Sequence, residues 1–100
     1  MIGGLSAAAI EFLDYLAVEK GASPNTIAAY RRVLRSYVTH LEEGGLGEPD
    51  QVTGEDVSRF ITSLAAPDGR GLGPGSVAQA ASALRSFHRF MLAEGLSEAD

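Results

Sequence analysis

The stretch SPNTIAAYRRVLRSY, residues 23–37, decides the fold class. Its apolar side chains recur every three or four residues, as they do on one face of an α-helix. Ser23 suits the N-cap, where its hydroxyl accepts from a free backbone N–H, and Pro24 suits the first helical position because no N–H is needed there. The stretch therefore predicts a helix that runs to about Glu43 and stops at Gly44-Gly45.

Three further helices are predicted around this one. No segment of useful length alternates as a strand does, and irregular loops rich in Gly, Pro and Asp are expected at residues 44–52 and 66–73. The fold class is therefore all-α, a small bundle of four helices in a single domain spanning about residues 6–96. The other three helices are expected from about Ser6 to Lys20, from the capping-box variant Thr53–Asp56 onward, and from about Pro74 to just before Gly95.

Each helix has one apolar face that predicts the core. Projection at ~100° per residue places Tyr30 and Tyr37 on such a face, which favours packing over a role as nucleophiles. His88 falls at the edge of the core face of the fourth helix. The predicted core residues are Ala9, Phe12, Leu13, Leu16, Ala17, Ile27, Tyr30, Leu34, Tyr37, Val38, Leu41, Val57, Phe60, Ile61, Leu64, Val77, Ala80, Ala81, Leu84, Phe87 and Met91.

Charge is unevenly distributed along a chain that is acidic overall. There are 13 Asp and Glu against 8 Lys and Arg. Seven of the basic residues fall within residues 20–41 and 69–93, and all thirteen acids lie outside these two windows. Because the local field decides which ligand a surface attracts, the two windows are candidate anion-binding segments despite the net charge of −5.

The basic residues fall on one flank of the second helix and one flank of the fourth. Both flanks combine arginines with small and hydroxyl side chains, and arginine pairs with phosphate or with guanine edges. Thr26 and Ser76 lie in first turns, where free N–H groups favour a phosphate. The pattern predicts an interface with double-stranded DNA, against the simpler interpretation of a solvated helix face. The candidate DNA-binding residues are Thr26, Ala28, Arg31, Arg32, Arg35, Ser76, Gln79, Ser82, Arg85 and Arg89.

No active site is recognisable in the sequence. Cysteine is absent, which fits a reducing, cytoplasmic setting, and neither histidine has a partner at metal-ligand spacing. The glycine-rich segment 69–75 lacks the Gly-Lys-Ser/Thr ending of a phosphate-binding loop. No apolar run reaches the length of a membrane span, and Glu11 and Asp14 argue against a signal peptide. We therefore expect no cofactor, no metal and no catalysis.

An internal similarity relates the second and fourth helices at a spacing of fifty residues. Two explanations are open: similar helices reuse similar caps and core patterns, or the chain is an internal duplication. Under either explanation the two helices present similar faces. The aligned pairs are residues 23–27 with 73–77, 34–37 with 84–87, and 45–46 with 95–96.

Four motifs follow one another along the chain. They are S-P-N-T-I-x-x-Y-R-R-x-L (23–34), T-x-E-D-V-x-x-F-I-x-x-L (53–64), S-A-L-R-S-F-x-R-F (82–90) and E-G-L (94–96). In this order they resemble the N-terminal core-binding domain of the tyrosine recombinases, in particular the Xer-type recombinase and phage integrase group. The resemblance covers about Ser6 to Leu96. Gly73 and Gly75 stand where that family usually has a serine and a basic or polar residue.

The resemblance implies a SAM-like bundle of four or five helices that forms one half of a clamp around DNA. It implies that the second and fourth helices lie against the major groove of a recombination site. It also implies a separate C-terminal catalytic domain, in which a tyrosine attacks a phosphodiester and forms a 3′-phosphotyrosyl link. The implied partners are double-stranded DNA, that catalytic domain and sister recombinase protomers. The isolated domain is expected to be a monomer that does no chemistry.

A function of another class stays open at this point. A helical protein–protein interaction module would bind its partner through the acidic remainder of the surface, and the arginines would serve solubility or pair with a partner's acids. Salt distinguishes the two hypotheses, because binding to duplex DNA weakens steeply with salt and a mainly apolar contact does not.

Overall fold

The structure is a bundle of four helices. The computed structural model describes residues 4–66 and 71–97, and within those ranges it contains no strand. The predicted all-α fold is confirmed. Part of the segment 44–52, predicted to be irregular, forms one turn of 3₁₀ helix at Pro49–Gln51. The helices are α1 (Gly4–Val18), α2 (Pro24–Glu43), α3 (Gly54–Ala65) and α4 (Pro74–Ala93).

Side-chain caps determine where α2 and α3 begin. Ser23 Oγ accepts from the Thr26 N–H at 3.2 Å, and Pro24 occupies the first turn, as predicted. At α3, Thr53 Oγ1 accepts from the Asp56 N–H at 3.3 Å while the Asp56 carboxylate accepts from the Thr53 N–H at 2.8 Å. The hydrogen bonds from the Thr53 backbone and hydroxyl favour the carboxylate form, so the pKa of Asp56 is lowered.

The start of α1 is capped from a distant loop, which the sequence did not predict. The Gly4 N–H donates to the Glu48 carboxylate at 2.9 Å, and the Leu5 N–H donates to the Gly47 carbonyl at 3.0 Å. A Cβ at position 4 would clash with that carboxylate, so glycine permits the approach. With this cap available, α1 begins two residues earlier than predicted.

The core lies where the four apolar helix faces meet, with Phe12 of α1 among aromatic rings from α2 and α4. Its ring centroid lies 5.6 Å from Phe87, 5.4 Å from Phe90 and 6.1 Å from Tyr30. Such tilted and offset ring pairs add to the area that they bury. The largest fully buried side chains are Tyr37, Phe12, Phe87, Leu5, Leu34, Leu41, Leu84 and Met91.

Some core positions differ from the prediction. Ala17 was expected in the core and is exposed, because the last turn of α1 packs inward only through Tyr15 and Leu16. Ala83 is fully buried although it lies outside the predicted stripe of α4. The cause is that α4 contacts all three other helices, so its buried face is wider than one stripe.

The spacing of fifty residues extends to the ends of the helices. α1 and α3 begin fifty residues apart, and α2 and α4 both begin and end fifty residues apart. Two residues after the ends of the two long helices, Gly45 and Gly95 have φ angles of 83° and 73°, a conformation that favours glycine. The following residues, Leu46 and Leu96, each donate an N–H at 2.8 Å to the carbonyl five residues back. α2 and α4 are therefore ended by the same turn.

Truncation of the α4 core should destabilise the domain. Leu84→Ala removes a side chain that is 1 % exposed and is expected to cost about 2–5 kcal/mol of unfolding free energy. Leu92→Ala on the same helix is the matched control, because Leu92 is 42 % exposed, and it should cost no more than about 0.5 kcal/mol. Urea unfolding measures both. Equal stability of Leu84→Ala and the parent would contradict the assignment of this face.

Candidate nucleic-acid interface

The five arginines predicted to bind DNA are all exposed. Within residues 4–66 and 71–97 the structure shows an ion pair for none of them; the ion pair that it does show joins Arg59 Nη1 to Asp56 Oδ1 of α3 at 3.3 Å. Their charge is therefore available to an external anion. Arg70, which belongs to the second basic window, lies outside the described residues.

One groove joins the arginine flank of α2 to that of α4. This α2–α4 groove has a volume of about 150 Å³. Its exposed edge carries Arg32 from α2 and Ser76 and Gln79 from α4, while the half-buried Ser36 lines it from α2. Among the described residues that line it there is no acid. Its apolar wall is formed by Ala29, Val33, Phe60, Leu64, Leu72 and Ala80.

Arg31 and Arg35 lie in a different groove, between α1 and α2. This groove measures about 300 Å³ and is also lined by Ile10 and Glu42. The Glu42 carboxylate accepts from the Ser6 hydroxyl at 3.2 Å. In the fold, Glu42 therefore lines the same groove as Arg31 and Arg35, although no acid lies in the sequence window that contains these two arginines.

Arg85 and Arg89 of α4 occupy two further grooves. Arg85 lines one of about 270 Å³ beside α3, together with His88. Arg89 lines one of about 280 Å³ beside α1, together with Lys20 and Glu94. Of the ten candidates, the structure therefore brings together Arg32, Ser76 and Gln79 in one groove and distributes the other arginines over its neighbours. Thr26, Ala28 and Ser82 line none of these four grooves.

The first turns of α2 and α4 differ in how their N–H groups are used. At α2, the Thr26 N–H donates to Ser23 Oγ, and the Ser23 hydroxyl donates to Thr26 Oγ1 at 3.0 Å. At α4 the N-cap is Gly73, which makes no side-chain hydrogen bond. The two turns therefore differ by one N–H group: that of Thr26 is engaged by the N-cap side chain, whereas no N-cap side chain engages a first-turn N–H group of α4.

A buried polar contact between α2 and α4 was missed by the sequence analysis. Tyr37 Oη lies 2.7 Å from His88 Nε2. Burial lowers the pKa of His88, so the imidazole is neutral at pH 7, and the tautomer of the ring decides whether its Nε2 accepts from the phenol or donates to it. Burial, followed by the negative charge of Asp56, raises the pKa of Tyr37. The phenol therefore stays protonated, which agrees with a packing role and not with a nucleophile.

Neither a metal centre nor a membrane span is found in the described part of the chain. Among the described residues, no group of three or more His, Asp and Glu side chains is placed to hold a metal ion. No described helix is long and apolar enough to cross a membrane.

The fold and the comparisons with known proteins define the class. The chain belongs to the family of phage integrase N-terminal SAM-like domains, whose model matches residues 9–95. The resemblance to tyrosine recombinases that the four motifs indicated is confirmed. No solved structure matches the chain significantly.

Similar proteins are tyrosine recombinases of the Xer group. The chain is 44 % identical over 93 residues to tyrosine recombinase XerD of Mycobacterium tuberculosis, which covers 89 % of this chain and 30 % of that protein. It is 41 % identical over 87 residues to XerC of Oceanobacillus iheyensis, covering 87 % and 28 %. It is 33 % identical over 100 residues to XerD of Bifidobacterium longum, covering 100 % and 32 %. The chain thus spans about a third of the length of these curated relatives.

The free energy of unfolding should decrease as the pH is lowered below about 6.5, because of His88. Because the folded pKa of His88 lies below the unfolded value of about 6.5, the unfolded state binds more protons as the pH drops below that value. The contribution of His88 is complete above about pH 6.5 and is lost as the pH falls through the folded pKa. Urea unfolding between about pH 7.5 and pH 5 should show this slope.

His88→Gln is the control for this pH dependence. The variant should lose the part of the slope due to His88, while the contribution of Asp56, whose lowered pKa acts at more acid pH, is present in both proteins. The same pH dependence in the parent and in His88→Gln would contradict the account.

Proposed function

We propose that this chain is the DNA-binding N-terminal domain of a site-specific tyrosine recombinase, and that it holds the recombination-site duplex through α2 and α4. The observation that supports the proposal most directly is the α2–α4 groove, which joins both flanks and has no acid among the described residues that line it. A carboxylate there would repel phosphate, whereas Arg32 on its edge can pair with it. Arg31, Arg35, Arg85 and Arg89 supply phosphate contacts on either side.

The length of the relatives supports a second part of the proposal. They are about three times as long as this chain, and they are tyrosine recombinases. We therefore place the chemistry, attack of a tyrosine on a phosphodiester to form a 3′-phosphotyrosyl link, in a C-terminal catalytic domain of the parent protein. That catalytic domain and sister protomers on the same DNA are the protein partners.

One observation favours a protein-binding function as the second candidate. The outer face of α1 carries Glu11 and Asp14, and Glu19 follows directly after Val18, which is 81 % exposed. The carboxylates repel DNA, and the exposed apolar side chain among them suits a protein partner. This face and the α2–α4 groove have no lining residue in common, so one domain can carry both functions.

Duplex binding should depend steeply on salt and on the flank arginines. We expect Arg32→Ala and Arg35→Ala each to weaken binding of a short duplex at low salt and to reduce the slope of log K against log[salt] by about one. Arg59→Ala is the matched control, since Arg59 is an exposed arginine of α3 already paired with Asp56. Fluorescence anisotropy at several salt concentrations measures all three.

Two results would contradict the proposed interface. If Arg32→Ala and Arg35→Ala bind as tightly as Arg59→Ala, the duplex lies elsewhere. If the chain binds duplex DNA with no salt dependence, or not at all, the protein-binding function of the α1 face becomes the better explanation.

The chain alone should neither cleave nor ligate DNA. Phosphoryl transfer needs a nucleophile among positioned cations, and the phenol of Tyr37 is buried with a raised pKa. Incubation with a nicked duplex that traps covalent adducts, followed by denaturing electrophoresis, should show only free DNA. A covalent protein–DNA adduct formed by this chain would overturn the assignment of the chemistry to another domain.

A further inference from the structure

We infer that the α2–α4 groove recognises an A·T base pair, with the Gln79 amide on the adenine edge and the thymine methyl against the apolar wall. The inference rests on the proposed function, because it requires α2 and α4 to face the major groove. It adds which part of the duplex enters the groove and which residue specifies sequence.

The apolar wall disfavours a phosphate inside the groove, so a phosphate would meet Arg32 only at the exposed edge. Phe60 and Leu64 are each 3 % exposed, and Leu72 is half-buried beside them. Moving a charged phosphate from water onto this surface would forfeit hydration without replacing it. A methyl group loses nothing there and gains by leaving water. The major-groove edge of thymine carries such a group, and the edges of the other three bases do not.

Gln79 supplies the chemistry that distinguishes adenine. Its side chain presents a donor and an acceptor side by side, and this pair matches N6 and N7 of adenine. It is the one amide side chain among the described residues that line the groove. Gln79 is exposed, and in the described ranges no protein group is hydrogen-bonded to its side chain. The amide is therefore free to pair with a base.

Two neighbours of Gln79, Arg32 and Ser76, are placed to make the contacts beside the A·T pair. Arg32 stands across the groove on α2, where it can pair with a phosphate or with a guanine next to the A·T pair. Ser76, one turn before Gln79, lies in the open first turn of α4 and suits a backbone phosphate. Phosphate contacts on both sides would hold the base edge in register with Gln79.

Selection from random duplexes tests the inference. The chain is used to select sequences at low salt, and the affinity of the best duplex is then compared with versions in which each base pair is changed singly. We expect one A·T pair whose replacement by G·C weakens binding about 5- to 150-fold. Replacement of its thymine by uracil, which removes only the methyl group, should also weaken binding.

Two variants make the outcome specific to Gln79. Gln79→Ala should bind the A·T and G·C versions about equally, while it keeps the parent's preferences at other positions. Arg85→Ala, the control, should weaken all duplexes alike and retain the A·T preference, because a phosphate contact carries no sequence information. Circular dichroism confirms that both variants are folded.

The experiment distinguishes a failure of the inference about the A·T pair from a failure of the proposed function. If Gln79→Ala keeps the full A·T preference, or if the parent selects no A·T pair, or if uracil binds as well as thymine, the inference is overturned and the proposed function stands. If the parent binds no duplex at low salt, the proposed function falls, and the inference falls with it.

Discussion

The packing of α2 against α4 is the constraint on which the rest of the domain depends. Leu34 and Tyr37 from α2 and Leu84 and Phe87 from α4 are essentially inaccessible to solvent. The hydrogen bond between Tyr37 Oη and His88 Nε2 ties the two helices together at 2.7 Å. Because side chains in such a core are closely packed, the helices cannot slide without loss of both apolar contact and this bond. Their outer flanks, which carry the arginines, are thereby held at a constant separation.

The separation of acids from arginines along the chain is only partly kept in the folded domain. The sequence places all acids outside two basic windows, yet the fold returns Glu42 to the groove of Arg31 and Arg35 and Glu94 to the groove of Arg89. In the part of the chain that the structure describes, no acid lines the α2–α4 groove. A chain with a net charge of −5 can therefore attract a polyanion at one place while the acidic face of α1 repels it at another.

The fold was largely predictable because local chemistry and the global fold agree. Ser23-Pro24 and the Thr53–Asp56 box start α2 and α3 where the caps indicate, and the apolar stripes identify most of the core. What escaped prediction depends on residues far apart in sequence. The cap of α1 comes from Glu48, 44 residues away, and the partner of Tyr37 is 51 residues away. Helical periodicity contains no signal for either contact.

The exposure of the candidate arginines was predictable residue by residue, but their arrangement in the fold was not. Projection of each helix indicates which arginines are exposed, since this depends on the helix alone. Whether Arg32 and Gln79 share a groove depends on how α2 and α4 pack, and this follows only from the tertiary structure. The same reason explains why Arg85 and Arg89, on one predicted flank, line two different grooves.

The proposed function requires that DNA bind this domain at the groove between α2 and α4. Titration of the ¹⁵N-labelled chain with a short duplex, followed by NMR of the backbone amides, tests it most directly. We expect the largest chemical-shift changes at Arg32, Ser36, Ser76 and Gln79, with smaller changes along the outer flanks of the same helices. Shift changes confined to α3 and the acidic face of α1, with none at these four residues, would contradict it.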